Sequence, residues 1–309
     1  MSCPSADDDS FWLKIDDEDY AAVNGLGTTG WEWVKLTAIK LEPGKHELTI
    51  KYREDGALLD KIGITTYPFG PKGLESGKAK AYLRDGASHE PRPRNDANSR
   101  EAHKQLLAKA KQGKIDVYFQ GDSITRRWGA TDYPKLLAHW NKSFHGWNAA
   151  NFAWGGDNTH HILWRMQNGE LDGVSPKVVC LQAGANNLPW RGAANESHVD
   201  DVVDGIQAII AEFRSRIGDV RIVLTAMFPR DQNPALADTI DSINEQLEKI
   251  SNSDEKIHWI NINANLVDSS GNLLPKVSSD GIHLEEPGYE IWVKALRPVL
   301  EKILGSPAE

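Results

Sequence analysis

From residue 101 onward, apolar segments of two kinds alternate along the chain. Short runs rich in Val, Ile and aromatic residues recur as KIDVYFQ (114–120), GWNAANFAW (146–154), PKVVCLQAG (176–184), VRIVLTAMF (220–228) and KIHWININ (256–263), and each reads as a strand. Between them lie longer stretches with helical spacing: EAHKQLLAKAKQ (101–112), YPKLLAHW (133–140), THHILWRMQNG (159–169), HVDDVVDGIQAIIAEFRSRIG (198–218), PALADTIDSINEQLEKIS (234–251) and EPGYEIWVKALRPVLEKIL (286–304). Apolar strands separated by helices predict an α/β domain whose five-stranded parallel sheet is covered on both faces, with right-handed crossovers. Ligands of such sheets sit outside the carboxyl ends of the strands.

The first part of the chain has a different period. FWLKID, WEWVKLTAIKL, HELTIKY and KIGITTY alternate apolar and polar positions and are separated by NGLGTTG, EPGK and EDG, so residues 11–67 read as a small antiparallel β module. Residues 68–100, rich in Gly, Pro and charge, read as a linker draped over the domain of residues 101–305. Trp31 and Trp33 flank Glu32 and so share one strand face, which suits packing better than ligand contact.

Composition narrows the function. The 309 residues are 40% hydrophobic with 11 Trp, enough for a large core, and no run reaches the ~20 apolar residues of a membrane span. A net charge of -9 with dispersed acidic residues disfavours nucleic acid as a partner. Cys3 and Cys180 give no disulfide framework. The opening MSCPSADDDS lacks a basic flank and an apolar stretch. The expectation is a secreted protein whose leader is absent from this chain, with a cytoplasmic location as the alternative.

Four polar, glycine-containing segments follow predicted strands or precede the last helix: Gly121-Asp122-Ser123, Gly155-Gly156-Asp157, Gly184-Ala185-Asn186-Asn187 and Asp280-Gly281-Ile282-His283. All four fall on one rim of the sheet. Taken singly, each is equally a cap or a turn. Together they supply what acyl transfer needs. Ser123 is a nucleophile opening a helix, His283 a base, and Asp280, three residues earlier, the group that orients it. The N–H groups of Ser123 and Gly156 and the amide of Asn186 are donors for an oxyanion.

These segments resemble blocks I, II, III and V of the SGNH/GDSL hydrolases over about two thirds of the chain. The stretch NFAWGGDNTHHILWRMQNGELDGVSPKVVCLQAGANN and the FPR at 228–230 are similar to the branch of platelet-activating-factor-acetylhydrolase-like proteins and bacterial acetylesterases. The resemblance implies a flavodoxin-like doubly wound sheet, a catalytic Ser123, His283 and Asp280, and an oxyanion hole of Ser123, Gly156 and Asn186. Two positions depart from the pattern: Ala185 stands where block III usually has Thr, and Trp154 precedes the block II glycines. The order of the triad differs from the Gly-x-Ser-x-Gly elbow, since Thr125 stands two residues after Ser123. Residues 11–67, through GWEWVKLTAIKLEPGKHELTIKYREDGALLDKIGITTY, resemble the second half of a galactose-binding-like β-sandwich, whose full form needs about 100 residues. A partial sandwich leaves edges unpaired, which implies packing on the hydrolase domain or on a second copy of the chain.

Trp128, Trp154 and Trp190 each lie within a few residues of a catalytic block, and with Asp157 and Asn187 they are candidate substrate-binding residues. Asp157 and Asn187 equally suit support of the oxyanion residues. His160 and His161 lack a second cluster at ligand spacing, so they suit helix capping and packing, and no metal or other cofactor is implied. The expected function is a serine esterase removing acetyl from carbohydrate such as acetylated xylan. A lipid or thioester acylhydrolase is the alternative of the same fold, and a carbohydrate-binding protein with an inactive hydrolase scaffold is the alternative of another class. The expected partners are an acetylated carbohydrate and, through the N-terminal module, a second copy of the chain, with neither nucleic acid nor membrane.

Overall fold

The computed structural model describes residues 10–23, 45–53, 59, 62 and 89–308. The chain divides into two compact units, residues 1–86 and 87–309. In the first, β1 (Phe11–Ile15), β2 (Ala21–Val23) and β3 (Leu48–Tyr52) form an antiparallel sheet in the order β2-β1-β3. Phe11, Leu13 and Ile15 are buried while Trp12, on the opposite face, is exposed, as the period of two requires. WEWVKLTAIKL, with Trp31 and Trp33, and nearly all of KIGITTY lie outside the described residues, and with them most of the segment that resembles a sandwich.

The second unit carries five parallel strands: β4 (Val117–Gly121), β5 (Ala149–Asn151), β6 (Val178–Gln182), β7 (Arg221–Thr225) and β8 (Ile257–Ile260). Their order is β5-β4-β6-β7-β8, the doubly wound arrangement expected from the sequence. Among the described residues, seven α-helices accompany them: α1 (Ala97–Ala110), α2 (Ser123–Trp128), α3 (Pro134–Ser143), α4 (Thr159–Arg165), α5 (Glu196–Ile217), α6 (Ala237–Asn252) and α7 (Glu286–Leu304).

Strand alternation divides the apolar side chains between two cores. Tyr118, Val179, Leu181, Ile222 and Leu224 share one core with Leu106 of α1, Ile162 of α4, Phe213 of α5 and Ile243 of α6. Val117, Phe119, Val178, Cys180 and Val223 share the other with Trp128 of α2, Trp140 of α3 and Trp292 of α7. With both faces covered, the strands are apolar throughout rather than alternating, which is the signal their sequences carried.

Helix α1 begins at Ala97, four residues before the first helical position read from the sequence. Asp96 caps it, accepting hydrogen bonds from the Ser99 backbone N–H and hydroxyl, both at 2.8 Å. The sheet order reverses between β4 and β6, and there the backbones come close. A Cβ on Gly121 would lie 2.1 Å from the Gln182 carbonyl oxygen and 2.5 Å from Thr125 Oγ1, so only glycine fits before the Asp122-Ser123 step.

Candidate active site

Ser123 is the first residue of α2, placed where β4 ends beside the switch point. Asp122 caps the helix, its Oδ1 accepting the Ile124 N–H at 3.0 Å. Burial pushes this carboxyl up to about 7, and the nearby Asp157 adds to the rise. Asn151, at the end of β5, ties the same helix down through its Nδ2, which donates to the Thr125 carbonyl at 2.7 Å. The Tyr289 hydroxyl of α7 donates to the Ile124 carbonyl at 2.6 Å. The serine is thus held from the cap, the neighbouring strand and the last helix at once.

His283 and Asp280 reach it from the loop before α7. His283 Nε2 lies 2.8 Å from Ser123 Oγ, and its Nδ1 lies 2.7 Å from Asp280 Oδ2. Asp280 Oδ1 also accepts the backbone N–H groups of Ile282 at 3.1 Å and His283 at 2.8 Å. Burial alone would raise this carboxyl, but those N–H groups and the imidazole outweigh it and hold the pKa at about 2. An ionised carboxylate only accepts, so Nδ1 carries the ring proton and Nε2 is left to accept from the serine hydroxyl. Burial lowers His283 below the ordinary imidazole value, the Asp280 bond opposes the shift, and Arg127 and Arg230 add to it. Arg127, on the same helix as the serine, donates from Nη1 to Asp280 Oδ2 at 3.2 Å.

The remaining segments meet on the other side of Ser123. A Cβ on Gly155 would lie 3.7 Å from Ser123 Cβ, so the Gly155-Gly156 turn stands against the serine. Asn186, in a short 3-10 turn after β6, donates from Nδ2 to the Asp157 carbonyl at 3.0 Å. That bond brings the amide beside Gly156 and uses one of its two protons. The arrangement brings a hydroxyl and a base with the tautomer to accept its proton against the Gly155-Gly156 turn and the Asn186 loop, which is the equipment for proton abstraction and nucleophilic attack, with candidate oxyanion donors on the neighbouring segments.

Two of the residues read as substrate contacts are placed elsewhere. Trp128 is fully buried, stacked on Tyr289 and Trp292 with ring centroids 4.8 and 5.2 Å away, and its indole N–H donates to His139 Nδ1 at 2.9 Å. It is a core residue, and its i, i+4 spacing from the equally buried Ile124 was the available sequence signal. Asp157 is buried in an ionic cluster, accepting from Arg165 Nε at 2.8 Å and from Arg94 Nη1 at 3.1 Å, so it meets protein rather than substrate. Arg165 also bonds Glu170 and donates to the Phe152 carbonyl at 3.1 Å.

Asn187 pairs with Thr159, donating to its hydroxyl at 3.0 Å and accepting its N–H at 3.1 Å, which holds the start of α4. His161 closes the capping box of that helix, its Nδ1 accepting the Asn158 N–H at 3.1 Å. Trp154 is half-buried beneath the Arg126 guanidinium, 4.4 Å from the ring centroid. Trp190 is 57% exposed, with the Arg230 guanidinium 5.3 Å from its ring. Arg230 also donates to the Ala185 carbonyl at 2.9 Å, so the exposed indole is attached to the Asn186 loop. Arg94, Arg127 and Arg165 were not singled out from the sequence, since an isolated arginine shows no pattern there. Among the described residues, no three His, Cys, Asp or Glu side chains are grouped to hold a metal ion, and no helix is long and apolar enough to cross a membrane.

A parallel sheet with a Ser-His-Asp chain at the carboxyl ends of its strands has the geometry of a serine hydrolase of the α/β class. Residues 119–291 match the GDSL-like Lipase/Acylhydrolase family. Platelet-activating factor acetylhydrolase IB subunit beta homolog from Drosophila melanogaster is 30% identical over 217 residues, covering 69% of this chain and 91% of its own. The human platelet-activating factor acetylhydrolase IB subunit alpha1 is 29% identical over 204 residues, 65% of this chain and 82% of its own. Among solved structures, a GDSL-like lipase from Bacteroides thetaiotaomicron has a TM-score of 0.52 at 21% identity, covering 65% of this chain and 98% of its own, and shares the fold. The chain belongs to the GDSL-like lipase/acylhydrolase family and is an esterase of that type.

Proposed function

We propose that the protein removes short acyl groups, acetyl foremost, from carbohydrate such as acetylated xylan or xylo-oligosaccharides, through an acyl-enzyme on Ser123. The observation that carries this reading is the unbroken hydrogen-bond chain from Ser123 Oγ through His283 to Asp280, at 2.8 and 2.7 Å. His283 takes the serine proton as Oγ attacks the ester carbonyl, and the N–H groups of Ser123, Gly156 and Asn186 receive the oxyanion. Collapse releases the alcohol with a proton from His283. Water, deprotonated by the same imidazole, then frees the acid. Asp280 stays ionised throughout and stabilises the imidazolium.

Acetyl as the acyl group is supported by the relatives named acetylhydrolases. A sugar as the alcohol is supported by Trp190, whose exposed indole offers a flat apolar surface of the kind that stacks on sugar rings. The second reading, an acetylated lipid as the substrate, is favoured by those same relatives, which are named for platelet-activating factor. Acetate release from acetylated xylan, a short aryl acetate and an acetyl ester of a long-chain lipid, measured in parent and Ser123→Ala, separates the two. The expected result is release from xylan exceeding that from the lipid ester and lost in Ser123→Ala. A preference for the lipid ester overturns the carbohydrate reading, and release that persists in the variant overturns the role of Ser123.

A further inference from the structure

The turn that carries Gly156 has a conformational choice built into it. Trp154 to Asp157 form a four-residue turn closed by the Asp157 N–H, which donates to the Trp154 carbonyl at 3.3 Å, and Gly156, the third residue, has φ +78°. A positive φ at that position belongs to a type II turn, and types I and II interconvert by a flip of the central peptide. Here the central peptide joins Gly155 to Gly156, so its N–H is the oxyanion donor of Gly156. Two glycines leave that flip sterically open. One orientation presents an N–H to the reacting carbonyl, and the other presents a carbonyl oxygen that would repel an oxyanion.

Arg94 acts on this peptide from outside the family-matched residues 119–291. Its Nη1 donates to the Gly155 carbonyl at 2.6 Å, and a Cβ built on Gly156 would lie 3.1 Å from the same nitrogen, so the guanidinium lies over the turn. In a trans peptide the C=O and N–H point in opposite directions. A cation bonded to the Gly155 oxygen therefore turns the Gly156 N–H away from itself. The guanidinium is in turn held by Asp157 Oδ1 at 3.1 Å and, through Nε, by Asp96 Oδ2 at 3.2 Å. Asp157 is itself fixed by Arg165 at 2.8 Å.

We propose that Arg94 is a positioning residue for the oxyanion hole: it locks the Gly155-Gly156 peptide with its N–H toward the reacting carbonyl. By drawing electron density onto the Gly155 oxygen, it also strengthens that N–H as a donor. The proposal rests on the reading of Ser123 as the nucleophile of an ester hydrolase, and its test separates the two.

The full chain is assayed as parent, Ser123→Ala, Arg94→Ala and Arg94→Lys on p-nitrophenyl acetate and on its thiono counterpart, whose sulfur accepts hydrogen bonds poorly. In Arg94→Ala, kcat for the oxygen ester falls about 10- to 100-fold, less than the roughly 10²- to 10³-fold cost of deleting a hole donor outright. KM stays within about twofold, as for an interaction made only in the transition state. Arg94→Lys, which keeps one cationic donor, regains part of the loss. The ratio of oxygen-ester to thiono-ester rates shrinks in Arg94→Ala, because only the oxygen ester draws fully on the hole. An unchanged ratio, or a loss confined to KM, overturns the proposal even where activity falls. If Arg94→Ala does not fold by circular dichroism, the same ratio in Arg94→Lys decides. Equal hydrolysis by parent and Ser123→Ala removes the esterase reading, whereas Arg94 variants that match an active parent remove only the positioning role.

Discussion

In the proposed mechanism, His283 is the residue on which the pH dependence of the reaction turns. Its working form is the neutral imidazole, so activity is present above its pKa and lost as protonation proceeds below it. Burial, Arg127 and Arg230 all disfavour the imidazolium, and the Asp280 bond only partly offsets them. The acid limb of kcat/KM is therefore expected to have its midpoint below the ordinary 6.5. Arg127→Gln removes a cation that bonds Asp280 at 3.2 Å and disfavours protonation of the ring, so the midpoint should move upward in that variant. A pH–rate profile of both proteins checks this, and an unmoved or lowered midpoint in Arg127→Gln contradicts it. The polar ends of this chain of contacts were legible in the sequence as Ser123, Asp280 and His283. Arg127 was not, because its role depends on a partner 153 residues away.

Helix α2 is only six residues long, yet it carries the serine at one end and the centre of an aromatic core at the other. Trp128 meets Phe119 of β4, Trp140 of α3, and Tyr289 and Trp292 of α7. Core and site are thus joined through one element. Trp128→Ala should destabilise the protein by about 3–5 kcal/mol, the usual cost of emptying a large aromatic site. Urea unfolding measures that loss. A change in KM with stability intact would instead place Trp128 at the substrate. Proximity in sequence to Ser123 suggests a substrate contact, but Trp128 shares the helix face of Ile124, which α3 and α7 cover. Strands β4, β6 and β7 were legible for the opposite reason: apolar side chains on both faces mark burial wherever the neighbours lie. The edge strand β5, paired only to β4, keeps just three of the nine residues read as strand.

For the whole molecule, the proposed catalytic residues all lie within residues 87–309, one of the two compact units. By its sequence pattern that domain starts at residue 101, because 89–100 look like a charged, proline-rich connection. Yet Asp96 caps α1, and Arg94 bonds the Gly155-Gly156 turn. A chain beginning at Ala87 is accordingly expected to keep kcat on a short aryl acetate, whereas one beginning at Glu101 loses most of it. Equal rates from the two truncations contradict this. The contribution of 89–96 was hidden because no periodicity marks a segment that works through two side chains. These kinetic expectations rest on ester cleavage through an acyl group on Ser123. Its most direct test is intact-mass and peptide mass spectrometry of the protein after rapid acid quenching during turnover of p-nitrophenyl acetate. One acetyl group on the peptide containing Ser123, absent in Ser123→Ala, is the predicted result. Turnover with no acetyl on that peptide, or acetyl on another residue that also accounts for the rate, would contradict it.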